Sequence, residues 1–138
     1  MSPPLTKRPH WIPVVVGLIQ KKGQILVGQR PEGSSLPGVW EFPGGKVELG
    51  EDPDQALIRE LDEELGIAVN DPEIQFSVTH NYTETGILLI FYKVQYWTGE
   101  PKDLHHDNIK WVDAHELKAL ELPDANKKAL HKIIGCIS

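Results

Sequence analysis

Apolar residues crowd Trp11 to Ile19 (WIPVVVGLI) and Gln24 to Gln29 (QILVGQ) in the continuous or alternating patterns of strands. Lys21-Lys22-Gly23 lies between them, with a glycine where a tight hairpin turn needs one. Proline and glycine punctuate RPEGSSLPG as a loop before a short strand-like stretch, Val39 to Phe42. Ile74 to Thr79 and Ile87 to Trp97 (ILLIFYKVQYW) read as further strands, the second long and apolar enough to be central, and Ile109 to Val112 adds a short one. Between them the period changes. Asp52 stands as a helix N-cap with Pro53 at the first helical position and Gly66 as a C-cap, which predicts a helix from Pro53 to Leu65. Ala114 to Leu120 has room for one or two helical turns. Asp124 to Ile134 is an amphipathic helix with Leu130, Ile133 and Ile134 on its apolar side. Strands on both sides of a central helix, followed by a C-terminal helix, predict an α/β sandwich.

The central helix has two unlike sides. At about 100° per residue, Leu57, Ile58, Leu61 and Leu65 fall in one arc that can pack on a sheet, while Glu60, Glu63 and Glu64 fall in the neighbouring arc. Seven carboxylates lie between Glu51 and Glu64. Like charges four residues apart cost a helix some tenths of a kcal/mol per pair, so Glu60 and Glu64 need an offset. One reading is a solvated acidic face, with Arg59 relieving part of the repulsion through Glu63. The other is an oxygen site for Mg²⁺ or Mn²⁺, favoured by the glycines just upstream, Gly44, Gly45 and Gly50.

Composition narrows the partners. A chain of 138 residues, 40% hydrophobic and 25% charged, predicts one globular domain over residues 1–138, without repeats or low-complexity segments. No apolar run approaches the ~20 residues of a membrane span. The start, MSPPLTKRPH, has charge and proline where a secretion signal needs apolar residues, so a cytosolic protein is expected. Cys136 is the single cysteine, with no partner for an intrachain disulfide. The net charge of −6 argues against coating duplex DNA, where affinity comes from basic groups displacing counterions. It leaves room for a polyphosphate held through divalent cations.

The segment from Gly44 to Ile67 resembles the signature of the Nudix hydrolases: Gly45, Glu51, Arg59, Glu60, Leu61, Glu63, Glu64, Gly66 and Ile67 stand at its spacing without a departure. The resemblance implies an α/β/α sandwich with a mixed central sheet. It also implies a Mg²⁺- or Mn²⁺-dependent hydrolase of a diphosphate linkage, using two or more ions with substrate bound. By position, Glu60, Glu63 and Glu64 would be metal ligands with the Gly44 carbonyl, and Glu60 is the first candidate for the base that deprotonates water. Glu51 and Arg59 would orient them.

Beyond that box the chain is similar to the MutT-like branch, through EFPGG (Glu41 to Gly45), Arg30, the W-x-G-E-P run from Trp97, the Trp111 strand and LPDAN (Leu122 to Asn126). This implies that Asn126 reads a guanine or oxidised guanine edge, that Arg30 contacts phosphates, and that Phe42 and Tyr82 line the base pocket. Read by themselves, Asn126 is a helix-start residue, Arg30 a surface charge, and the two aromatics core residues. The chain departs from that branch in one loop, KDLHHDN, where a further glutamate is expected and His105, His106 and Asp107 stand instead. The expected substrate is a free nucleoside triphosphate such as dGTP or 8-oxo-dGTP, cut to monophosphate and pyrophosphate. The alternative is the 5′-triphosphate end of RNA, for which Lys127, Lys128, His131 and Lys132, with Lys7 and Arg8, would form a basic track. A nucleoside diphosphate sugar ranks lower, and so does a non-catalytic sensor, since sensors usually lose box glutamates and this box is whole.

Overall fold

The computed structural model describes residues 9–137, so Lys7 and Arg8 lie outside the described residues. A long strand, β1 (His10–Lys21), turns through Lys22 and Gly23, both at positive φ (52° and 75°), into β2 (Gln24–Gln29). Two consecutive left-handed residues are what a type I′ hairpin turn requires. Then come β3 (Trp40–Glu41), β4 (Gly44–Lys46), α1 (Pro53–Leu65), β5 (Ala68–Asn70), β6 (Glu73–Asn81), β7 (Thr85–Val94), β8 (Tyr96–Thr98), β9 (Asn108–Val112), α2 (Ala114–Ala119) and α3 (Asp124–Cys136).

The main sheet runs β3-β2-β1-β7-β6, with β4 also on β1 and β9 also on β2. β1 and β7 are parallel, pairing His10 with Thr85 through to Ile19 with Val94, and the other pairings are antiparallel, so the sheet is mixed. Side chains that alternate along each strand build two separate cores. Val16, Leu18, Ile25, Val27, Leu89, Phe91 and Val112 point to one face and pack with Leu117 of α2 and with Ala129 and Ile133 of α3. Val15, Ile19, Leu26, Tyr92 and Val94 point to the other and pack with Ala56, Leu57, Leu61 and Leu65 of α1. The architecture is an α/β/α sandwich. Among the described residues no helix is long and apolar enough to cross a membrane.

The helix α1 has the bounds its sequence predicts. The Asp52 N–H donates to the Gln55 side chain at 2.8 Å, and Gly66, at φ 69°, closes the end with its N–H on the Asp62 carbonyl at 2.9 Å. Its apolar arc is narrower than expected: Ile58 is 39% exposed, and the neighbouring place against the sheet is taken by Ala56. The apolar run 87–97 is also two elements. β7 ends at Val94, and Tyr96 to Thr98 leave the main sheet to pair with Ala68 to Asn70 in a small sheet of their own. β4 and β5 are strands the hydrophobic pattern does not announce, since GGK and AVN are each three residues long.

Candidate active site

The carboxylates of α1 are organised around Arg59. Its guanidinium donates to Glu51 from Nε at 3.0 Å and from Nη2 at 2.7 Å, to Glu60 from Nη1 at 2.9 Å, and to the Lys46 carbonyl at 3.0 Å. Glu63 is a weaker partner at 3.4 Å, one helical turn along. The bidentate grip of Arg59, together with the Glu48 N–H, holds the Glu51 carboxyl below its ordinary range. Glu60 reaches this cluster only because Gly45 has no side chain: a Cβ there would stand 2.3 Å from the Glu60 carboxyl carbon. Gly44 is similarly confined, as its Cβ would meet the Val15 carbonyl oxygen at 2.0 Å.

Glu64 turns away from Arg59 and accepts a hydrogen bond from the Gly44 N–H at 3.0 Å. It is only 8% exposed. Burial pushes its carboxyl up to about 8, with the charges of Glu41, Glu60 and Glu63 adding to the rise and the Gly44 N–H opposing it. Burial also raises Glu60, although Arg59 works against it. Buried carboxylates that repel one another, with oxygen donors only, are chemically suited to a hard divalent cation such as Mg²⁺ or Mn²⁺, whose charge would reverse both effects. In the structure Glu60 and Glu63 are drawn to Arg59, so a cation would have to gather them towards Glu64.

Glu64 lines a cleft of about 380 Å³ whose walls include Arg30, Glu41, Phe42, Gly44, Gly45, Tyr82, His105 and Asn126. Hollows beside Trp11 and beside Gly33 contain no residue of α1. Asn126, on the first turn of α3, is 7% exposed and faces this cleft, while its backbone N–H bonds to the Pro123 carbonyl at 2.9 Å. Arg30, at the end of β2, donates to Glu41 at 2.8 Å and to the carbonyl and hydroxyl of Ser35 at 2.6 and 2.9 Å. Its planar head is thereby fixed at the cleft wall rather than free on the surface.

A comparison with family models matches residues 14–132 to the NUDIX domain. The chain belongs to the NUDIX domain family. It is 41% identical over 125 residues to an 8-oxo-dGTP diphosphatase of Haemophilus influenzae, covering 90% of this chain and 92% of that one. It is 39% identical over 112 residues to a CTP pyrophosphohydrolase of Escherichia coli, covering 81% and 82%. A solved structure of MutT, from work on Aliivibrio salmonicida and Vibrio cholerae, superposes with a TM-score of 0.77 at 31% identity, covering 91% of this chain and 98% of that one. The chain is thus a MutT-like Nudix hydrolase, an enzyme acting on phosphoanhydride bonds.

Of the Nudix box, Gly45 and Glu64 line this cleft together with Arg30, Phe42, Tyr82 and Asn126, whereas Glu51, Arg59, Glu60 and Glu63 lie outside its lining. Phe42 is 5% exposed and spends most of its surface in the α3-side core, so only part of it borders the cleft. Tyr82 is 59% exposed at the rim, edge-on to His80. Asp107 is not in the cleft: its carboxylate accepts the Glu32 N–H at 3.1 Å and braces the loop after β2. His105 is half exposed with Nε2 3.7 Å from Glu64, whereas His106 is buried with Nε2 3.1 Å from Glu41. The backbone N–H groups of Lys102 and Leu104 donate to the carbonyls of Leu65 and Glu64, which hangs this histidine loop from the last turn of α1. Glu41 is a cleft residue that the sequence reading did not single out. It joins Arg30 to His106, and although burial works to raise its carboxyl, their hydrogen bonds and charges hold it below the ordinary range. Its place within EFPGG, two residues before Pro43, was the available signal.

Proposed function

We propose that this Nudix hydrolase is a Mg²⁺- or Mn²⁺-dependent nucleoside triphosphate pyrophosphohydrolase of the cytosol, releasing a monophosphate and pyrophosphate, with guanine nucleotides such as dGTP or 8-oxo-dGTP preferred. The observation that carries the reading is a single cleft shared by Glu64, the fixed Arg30 guanidinium and the inward-facing Asn126 amide. Asn126 offers both a donor and an acceptor to a base edge. Arg30, held in place by Glu41 and Ser35, is oriented for phosphate oxygens. Divalent cations held by Glu60, Glu63, Glu64 and the Gly44 carbonyl would offset charge on the phosphoryl group and supply the attacking water. Glu60, raised by burial and hydrogen-bonded by Arg59, would take that water's proton once the cations gather it towards Glu64.

A second reading, CTP as the preferred nucleotide, draws support from the similarity to the CTP pyrophosphohydrolase. RNA 5′ ends rank behind free nucleotides because part of the proposed basic track is committed within the fold. Lys128 donates to the Thr79 carbonyl at 2.8 Å and Lys132 lies over the Phe76 ring. The deciding experiment is product analysis with Mg²⁺ on dGTP, 8-oxo-dGTP, CTP, a nucleotide sugar and triphosphorylated RNA side by side. Pyrophosphate release favouring the guanine nucleotides supports the reading. Equally feeble turnover of all five removes the basis for it.

A further inference from the structure

Among the described residues, the three metal-ligating side chains whose donor atoms lie within 4.8 Å of one another are Glu41, His105 and His106, none of them in the Nudix box. They come from β3 and from the loop between β8 and β9; Glu41 and His105 line the cleft, and His106 lies buried behind them. His106 is the fixed member. Its side chain is fully buried and fits only because Gly28 is a glycine, since a Cβ there would lie 2.4 Å from the imidazole Cγ. Its Nδ1 has no hydrogen-bond partner, so its one polar link is Nε2 to Glu41 at 3.1 Å. The imidazole is thus enclosed with its one hydrogen bond directed at the Glu41 carboxylate and its ring against that of His105.

The distances suit one ion. Bonds of about 2.0–2.2 Å to nitrogen and oxygen give donor-to-donor edges of about 3.4 Å around a tetrahedral cation, near the spacing of His106 Nε2 and Glu41 Oε2. His105 is half exposed, stands edge-on to His106 with ring centroids 4.9 Å apart, and can swing to close the third edge. The cleft provides entry for the ion and a water as fourth ligand. Glu41 also accepts a hydrogen bond from Arg30 at its other oxygen, which orients the carboxylate as an outer partner orients a metal ligand. Two imidazoles and one carboxylate are a borderline-soft set that suits Zn²⁺ or Co²⁺ and is poorly matched to Mg²⁺.

We propose that Glu41, His105 and His106 form a second cation site for a zinc-class divalent ion, adjoining the oxygen site of the Nudix box, whose Glu64 lies 3.7 Å from His105 Nε2. It stands independently of the substrate reading above, and the test separates the two sites. The full chain is titrated with Zn²⁺ by calorimetry in saturating Mg²⁺, and with Co²⁺ while visible absorption is recorded. The expected result is one equivalent of Zn²⁺ bound despite the Mg²⁺, with the intense visible bands of tetrahedral Co²⁺. The His105→Ala variant, altered at an exposed side chain, should weaken Zn²⁺ binding by at least about tenfold, and Glu60→Gln should leave it unchanged. His106→Gln, checked for folding by its thermal melt, should act as His105→Ala does. Wild-type affinity in His105→Ala, loss of the equivalent in Glu60→Gln, or no Zn²⁺ uptake against Mg²⁺ would each overturn the proposal.

Discussion

Glu64 concentrates the tension of the site in one side chain, a carboxyl that burial and like charges push up to about 8 beside the backbone of Gly44. Because its folded value lies above the unfolded one, near 4.5, the stability it contributes is fully present below about pH 4.5 and lost as pH rises through 8. In a chelator, thermal melts of wild type should therefore fall relative to Glu64→Gln between pH 5 and pH 8; parallel curves would contradict this. With Mg²⁺ added, wild type should regain stability at pH 8 and Glu64→Gln should not, as a ligand that binds only the folded state requires. The same variant should lose about 10²- to 10⁴-fold in kcat for nucleotide hydrolysis while keeping its fold. Asn126 belongs to this scale too. Asn126→Ala should leave pyrophosphate release from dGTP measurable but shrink its preference over CTP by about 1–3 kcal/mol, the value of a good base-edge contact. Asn126 and Arg30 were singled out only through the family resemblance, since by themselves they read as a helix-start residue and a surface charge. The linkage of Glu41 to His106 was not legible in the sequence, since 65 residues separate them and only the pairing of β2 with both β3 and β9 brings them together.

Helix α1 was the most legible element, because proline, capping residues and glycine mark both ends and its carboxylates recur at helical spacing. What the spacing leaves out is the strand it faces. β4 is only Gly44 to Lys46, has no apolar pattern, and is defined by its pairing with Val14 to Val16. Its glycines are nonetheless as necessary as the glutamates. Gly45→Ala places a methyl group 2.3 Å from the Glu60 carboxyl carbon, so turnover should drop by about 10²-fold, the scale expected for a misplacement of about 1 Å, while the secondary structure persists by circular dichroism. At the other end, Gly66→Ala puts a side chain on a residue at φ 69° and should cost about 1 kcal/mol in denaturant unfolding.

On the scale of the whole molecule, the sheet lies between two cores among the described residues, one on the α1 side and one on the α2–α3 side. Leu57→Ala on one side should cost about 2–5 kcal/mol and Ile133→Val on the other about 0.5–1.5 kcal/mol. In urea unfolding of the double variant the two losses should add to within about 0.5 kcal/mol, and a larger discrepancy would mean the cores communicate. The order of strands about a central helix, with a helix at the C-terminal end, made the sandwich readable, whereas the departure of the chain after Val94 into a second small sheet was hidden in one continuous apolar run. The suspension of the histidine loop from the carbonyls of Glu64 and Leu65 means that the glutamate helix and the loop have no independent freedom at that point. If the final turn of the helix frays, the imidazoles lose their moorings together with the carboxylate, so amide exchange at Lys102 and Leu104 should speed and slow in step with that at Gly66.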